Sequence, residues 1–435
     1  MMKKKILELD RKHIWHPFTQ KKNCEDPIVI VSGKDEKVFD IDGNEYLDLI
    51  SSWWVNTHGH ARAELIKDLN LQAKKIEQIL FAGFTHEPAT SLAEKLIKLL
   101  PNKLSRVFYS DNGSTAVEVA LKVAIQYWYN RGKRKTKFLA FKGGYHGDTF
   151  GAMSVGYSSG FYGPFKDLIL DTSFIPFPET WEGDNKKYEK EKESLKFVEE
   201  ILNDSPDEIA AVIIEPIIQG ASGMKMCDPL FLEKVLKRFK EKNIIIIFDE
   251  VMTGFGRTGK MFAMEHIITK PDIVCIAKSL TAGYIPLAAT IFSESIHNEF
   301  VDTDFKKTFL HGHSFTANPL ACSVAIASLK IFERNNVLNK VSQIEKIHKK
   351  GLDFLKSNIK VSKTRLIGSI AAFDLIGTDR KYGSKIGIKI REQFLKKGLL
   401  IRPIGNTIYL MPPYCIDNKA LENVYSILDA ELKNI

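Results

Sequence analysis

A chain of 435 residues, 44% hydrophobic and 26% charged, has ordinary globular composition and the length of about two to four domains of roughly 100–200 residues each. Its net charge of +9 does not by itself point to nucleic acid: the lysines are scattered, the densest runs are Arg131–Lys137 and a Glu-interleaved Lys186–Lys192, and no basic motif interleaved with aromatics is present, so a solvated surface that attracts anionic small molecules is expected. No apolar run approaches the ~20 residues of a membrane span, and Cys24, Cys227, Cys275, Cys322 and Cys415 are too far apart for metal-ligand spacing, so the expectation is a soluble cytoplasmic protein with reduced thiols and no metal, membrane or nucleic-acid partner.

The N-terminus, MMKKKILEL, opens like a secretory signal, but Asp10, Arg11 and Lys12 interrupt it before an apolar core forms. VFDIDG followed by NEYLDL reads as a hairpin with Asp42-Gly43 at its turn. Strands are expected at Arg106–Ser110, Lys137–Phe141, Ala210–Glu215, Asn243–Asp249, Asp272–Ala277 and Leu287–Phe292; several are apolar throughout, as in a parallel sheet covered on both faces. Val117, Ala120, Leu121, Ala124, Ile125 and Trp128 recur at helical spacing between the first two. The alternation predicts an α/β fold with a mostly parallel central sheet. Pro176–Lys196, charged and containing Trp and Pro, reads as an exposed loop inside the large domain. After about Pro319 a long helix, Leu320 to about Arg334, leads into helix-rich sequence with short strands near Ile370–Leu375, Leu400–Arg402 and Thr407–Met411, a smaller α+β unit. The expected division is a large domain of residues 61–325 and a small domain of residues 326–435, to which residues 1–60 contribute.

Asp249 ends the run NIIIIF, at the carboxyl end of a buried strand, where active sites of open α/β sheets lie. A buried carboxylate needs a partner; a protonated pyridine nitrogen is one candidate, and a helix cap or a surface position is the alternative. Lys278 ends the next run, DIVCIA. Desolvation there would lower its pKa and expose an amine able to condense with an aldehyde, against the alternative of a lysine emerging into solvent. Between a strand and the amphipathic helix, Gly113 would let a ligand approach the backbone, and Ser114 and Thr115 open a helix whose amides favour phosphate; an ordinary N-cap explains the same residues. Tyr145, in the run Tyr145-His146-Gly147-Asp148 after the strand KFLAF, could stack on a planar cofactor, though by itself it reads first as a loop aromatic packed on the core.

The blocks GS, GGYHG, EPIIQG, DEVMTGFGRTG, KSLTAGYIPLAA and HGHSFTANPLA, in this order over nearly the whole chain, resemble the class III aminotransferases of pyridoxal-5'-phosphate (PLP) fold type I. The resemblance implies PLP as cofactor. Gly113 and Ser114 would bind its phosphate, Tyr145 would cover its ring and Asp249 would pair with its ring nitrogen. Lys278 would hold it covalently and shuttle the proton of the transfer. His313 and Ser314 would reach the phosphate from a partner subunit, which implies a homodimer with shared sites.

Within that family, HIWHPFTQ (His13–Gln20), SSWWVNTHGH (Ser51–His60), Met252 where many members carry Gln, Arg402-Pro403 and the run ending at Tyr414 resemble the members that aminate the 7-keto group of 8-amino-7-oxononanoate in biotin synthesis. The acceptor is a long apolar chain with a carboxylate. Trp53 and Trp54 would line its tunnel, facing opposite ways if they lie in a strand, and Arg402 would clamp the carboxylate; a core pair and a surface salt bridge are the alternatives. Asp148, Arg257 and Gly312 match further positions of the substrate site. Phe18 stands where many members have a tyrosine that contacts substrate and cofactor. The expected donor is S-adenosylmethionine, with lysine as the alternative because HGHSFTAN departs from the common Pro-Thr form. Aminotransferases of other ω-amino acids are the rival reading.

Overall fold

A computed structural model describes residues 1–156, 162–377 and 385–433. In chain order its strands are β1 (Ile30–Lys34), β2 (Lys37–Asp40), β3 (Glu45–Asp48), β4 (Leu104–Ser110), β5 (Lys137–Phe141), β6 (Thr172–Ile175), β7 (Ile209–Ile214), β8 (Ile218–Gln219), β9 (Lys225–Met226), β10 (Ile245–Asp249), β11 (Ile273–Ile276), β12 (Ala288–Ser293), β13 (Val361–Ile367), β14 (Ile370–Leu375), β15 (Leu399–Leu400) and β16 (Thr407–Leu410). Seven of them form the central sheet, in the order β4-β12-β11-β10-β7-β5-β6. β12 runs antiparallel to both its neighbours, and the other pairings are parallel. All six strands expected here from apolar runs are present. β7, β10, β11 and β12 are buried along their whole length, with helices on the faces. Each fully buried Ile or Phe of this sheet contributes roughly 1.5–3 kcal/mol.

β6 was not visible as an apolar run, because it is a half-buried edge strand of four residues. Part of Pro176–Lys196, read as a loop, is helix: Lys187–Asp204 buries Ser194, Val198 and Leu202 on one face, and its many Lys and Glu residues are good helix formers on the solvent side. The basic run Arg131–Lys137 is mostly exposed, but Lys135 is buried with its amine 4.5 Å from the Trp128 ring.

The expected hairpin is β2–β3, paired Lys37↔Leu47 to Phe39↔Glu45, with the turn residue Gly43 at φ +87. β1 extends it on one side. On the other, β15 adds in parallel to β3, so the N-terminal segment and a C-terminal strand share a sheet. β13, β14 and β16 form a separate antiparallel sheet. β13 escaped the sequence reading because a bulge at Lys363 (φ +49) breaks its alternation. The helix Pro319–Arg334 starts at an Asn318 cap with Pro in its first turn and packs against the helices Ala63–Ala73 and Glu87–Leu99. No helix among the described residues is long and apolar enough to cross a membrane.

Candidate active site

The carboxyl ends of β4, β5, β7, β10 and β11 meet on one edge of the central sheet, and the residues singled out by their sequence position lie there. Asp249 closes β10 in register with Cys275 of β11, and Lys278 follows two residues after β11 ends. The buried Asp249 carboxylate takes the Val251 N–H at 3.0 Å on Oδ1 and His146 Nδ1 at 2.7 Å on Oδ2. Lys278 has φ +43, a left-handed conformation that is costly for lysine. Burial pulls its amine down to about 8, opposed by the nearby Asp249 and Glu215 carboxylates and assisted by Arg257. The amine lies 4.7 Å from the centre of the Trp54 ring.

Beside this pair stands Tyr145. Its N–H donates to Glu215 Oε2 (3.0 Å) and its hydroxyl to Asp148 Oδ2 (2.9 Å). Burial first, and then Asp148, raises the phenol well above the ordinary tyrosine range. Glu215 also accepts the Gly220 N–H at 3.0 Å, and burial pushes its carboxyl up to about 7, with His146 opposing and Asp249 reinforcing. Glu215, within the EPIIQG block, and His146 were given no role by the sequence reading. The available signal was a charged residue directly after a strand buried on both faces.

The helix Gly113–Asn130 begins at this edge, capped by Asn112 in a reciprocal box with Thr115. Ser114 is therefore not the cap. Its hydroxyl lies 2.7 Å from that of Thr149 and accepts the Thr149 N–H at 3.1 Å. Gly147 (φ +124) is obligatory here, since a Cβ would lie 2.3 Å from Ser114 Oγ. Gly113 also has a packing reason: a Cβ there would meet Val251 Cγ1 at 2.6 Å. His313 Nδ1 is 3.4 Å from Asp111 Oδ2 of the same chain, and the exposed Ser314 carbonyl accepts from Gln78 at 2.7 Å. Gly312, also exposed, precedes them.

Trp53 and Trp54 do not lie in a strand. They end a one-turn helix, Ser51–Trp54, with left-handed backbone at Ser51, Ser52 and Trp54 (φ +51, +61 and +67). Trp54 is buried; its Nε1–H donates to Tyr409 Oη (2.9 Å), and its ring abuts Gly220, where a Cβ would lie 3.1 Å away. Met252 belongs to the same apolar cluster, with Ile50, Ile218 and Tyr409, which accounts for an apolar residue at that position. Trp53 is 41% exposed; Phe18 meets it edge-on at 5.7 Å and the Arg402 guanidinium lies 4.6 Å from its ring. Arg257 lies close enough to the Lys278 amine to act on it electrostatically. It is wholly buried and donates to Ser51 Oγ (3.1 Å) and to the carbonyls of Pro412 (3.3 Å), Asn56 (3.3 Å) and Trp54 (3.4 Å).

This donor set suits PLP: a buried carboxylate for a ring nitrogen, a desolvated amine for an aldehyde, and hydroxyls at a helix N-terminus for a phosphate. Comparisons agree. The Aminotransferase class-III family model matches residues 19–432. An adenosylmethionine-8-amino-7-oxononanoate aminotransferase from Synechococcus elongatus is 47% identical over 96% of this chain and 97% of its own length. The crystal structure of the similarly named enzyme from Methanocaldococcus jannaschii superposes with TM-score 0.93 at 38% identity, covering 99% of both chains. A PLP-bound amine transaminase from an uncultivated Pseudomonas species matches with TM-score 0.89 at 29% identity over 97% of this chain and 98% of its own. The chain belongs to the class-III aminotransferases, a family of PLP-dependent transaminases.

Proposed function

We propose that the protein transfers an amino group from S-adenosylmethionine to the 7-keto carbon of 8-amino-7-oxononanoate, giving 7,8-diaminononanoate for biotin synthesis. The observation that carries this reading is a cluster in which Phe18, Trp53 and Arg402 set two aromatic rings and a guanidinium together, while the adjacent Trp54 lies against the Lys278 amine. An acceptor with an apolar chain ending in a carboxylate matches that arrangement. The relatives above carry the name of this reaction, with adenosylmethionine as the donor.

PLP, when bound, supplies an aldehyde and an electron-withdrawing ring. Asp249, fixed by His146, holds the charge on the ring nitrogen. Tyr145 covers the ring, while Gly113 and Ser114 hold the phosphate at the helix N-terminus. Lys278, whose amine burial pulls down to about 8, is the residue that would hold the aldehyde covalently, and when free it would move a proton at the substrate carbon. Arg402 binds the acceptor carboxylate. Asp148 orients the Tyr145 hydroxyl, and Gly312, next to His313 in the chain, belongs to the substrate site. Arg257 acts from beneath by holding the carbonyls of the Trp54 turn.

The active form is a homodimer in which His313 and Ser314 of one subunit reach the other's phosphate. Two segments joined by the Gln78–Ser314 and Asn318–Glu77 hydrogen bonds expose Leu80, Phe84, Leu310 and Phe315, an apolar surface suited to a second copy. Residues 61–325 then form the cofactor-binding domain, and residues 1–60 with 326–435 the small domain.

The test offers the purified holoenzyme 8-amino-7-oxononanoate with adenosylmethionine and lysine separately, with the diamine product followed by mass spectrometry. Product with adenosylmethionine alone is expected. Product with lysine alone reassigns the donor. Turnover of ornithine or 4-aminobutyrate with no amination of 8-amino-7-oxononanoate sinks the substrate assignment.

A further inference from the structure

The turn that carries both tryptophans is held in a conformation its residues avoid. Ser52, at φ +61 and ψ −85, is close to the positive-φ γ-turn, a rare and strained form, and Ser51 and Trp54 are left-handed as well. Such a segment persists only when its surroundings over-determine it. Two buried charged side chains do so. Asp48, with no exposed surface, accepts the N–H of Ile50 on Oδ1 (3.1 Å) and the N–H of Ser52 on Oδ2 (2.7 Å), and His60 Nε2 lies 3.0 Å from the same Oδ2. Arg257 adds bonds to Ser51 Oγ and to the carbonyls of Trp54 and Asn56. The Ser51 hydroxyl is tied in turn to the Met411 carbonyl at 2.7 Å.

We propose that Asp48 is a positioning residue: by gripping the amides of Ile50 and Ser52 it keeps the turn left-handed, and so sets Trp54 over the Lys278 amine and Trp53 against Arg402. A carboxylate suits this role because it only accepts hydrogen bonds, and the two amides and the imidazole all donate. An amide in its place presents N–H groups to at least one of those donors. The proposal rests on the reading of Trp53 and Arg402 as the acceptor's walls, and it adds a specificity-determining residue that touches neither substrate nor cofactor.

The test compares holoenzyme carrying Asp48→Asn, Ser52→Gly and both. Asp48→Asn should raise KM for the keto acceptor on the order of 10-fold, the equivalent of one charge-assisted hydrogen bond, with kcat and the titrated affinity for PLP within about 3-fold. Exchange of the amides at 50–56 should quicken and the tryptophan emission should shift. Adding Ser52→Gly should recover most of the KM, because glycine adopts positive φ without the Cβ penalty and needs less holding. An unchanged KM in folded Asp48→Asn, or no recovery in the double variant, overturns the proposal. If neither Asp48 variant folds, Asp48 serves folding alone and the proposal fails likewise. KM is read on whichever keto acceptor the wild type turns over, so a failed substrate assignment leaves this result legible.

Discussion

The Lys278 amine should capture the PLP aldehyde with a pH midpoint near 8, well below the ordinary lysine value of 10.5. Burial favours the neutral amine, which lowers the pKa; the Asp249 and Glu215 carboxylates favour the ammonium and limit the fall. Only the neutral amine attacks an aldehyde. At pH 7 a pKa near 8 leaves about 9% neutral, against about 0.03% for a free lysine, an advantage of about 300-fold. Apoprotein, stripped of PLP, is mixed with excess PLP in a stopped-flow instrument from pH 6 to 10.5. The same series run with an N-acetyl-lysine amide cancels the titrations of PLP itself. The protein's rate should level off above pH 8–8.5 while the reference continues to climb. Asp249→Asn removes a charge that favours the ammonium, so its midpoint should move down, below 8. A protein rate that rises in parallel with the reference to pH 10 would refute the desolvation argument, and an upward move in Asp249→Asn would refute the assignment of the opposing charge. Borohydride reduction followed by peptide mapping should place the label on Lys278, and a label on another lysine removes the premise.

Asp249→Asn should also slow turnover on the order of 10²-fold or more, because an amide cannot hold the ring-nitrogen charge; near-normal kcat in the mutant contradicts the role. Arg402→Lys and Arg402→Ala should raise KM for carboxylate-bearing substrates about 10- to 150-fold, the range of a charge-assisted contact of roughly 1.5–3 kcal/mol. An esterified acceptor should bind weakly to wild type and lose little more, and equal losses for ester and acid would rule out the clamp. Sedimentation at assay concentration should show a homodimer, and Phe315→Glu should shift it toward an inactive monomer; a fully active wild-type monomer contradicts the shared site. Phe138→Ala, at a fully buried position of β5, should cost about 3–5 kcal/mol of stability in denaturant titration.

Much of this molecule is local in origin, and that part was legible in the sequence. Apolar runs such as NIIIIF mark strands covered on both faces, and their carboxyl ends mark the chemical edge of the sheet, so Asp249 and Lys278 could be paired before any coordinates. The order of the six motif blocks carried the family. Elements without a clean period escaped: β6 at the sheet edge, β13 with its bulge, and the helix Lys187–Asp204 hidden in a charged stretch. The tertiary structure alone decided how the tryptophans stand. Trp54 bonds to Tyr409 and Ser51 to Met411 across 355 and 360 residues, while Asp48 and Arg257 hold the turn between them in a conformation that serine and tryptophan do not choose by themselves. Periodicity reports which face of an element is buried. It does not report a backbone conformation imposed by partners distant in sequence, and in this protein that imposed conformation sets Trp54 beside the Lys278 amine and Trp53 beside Arg402.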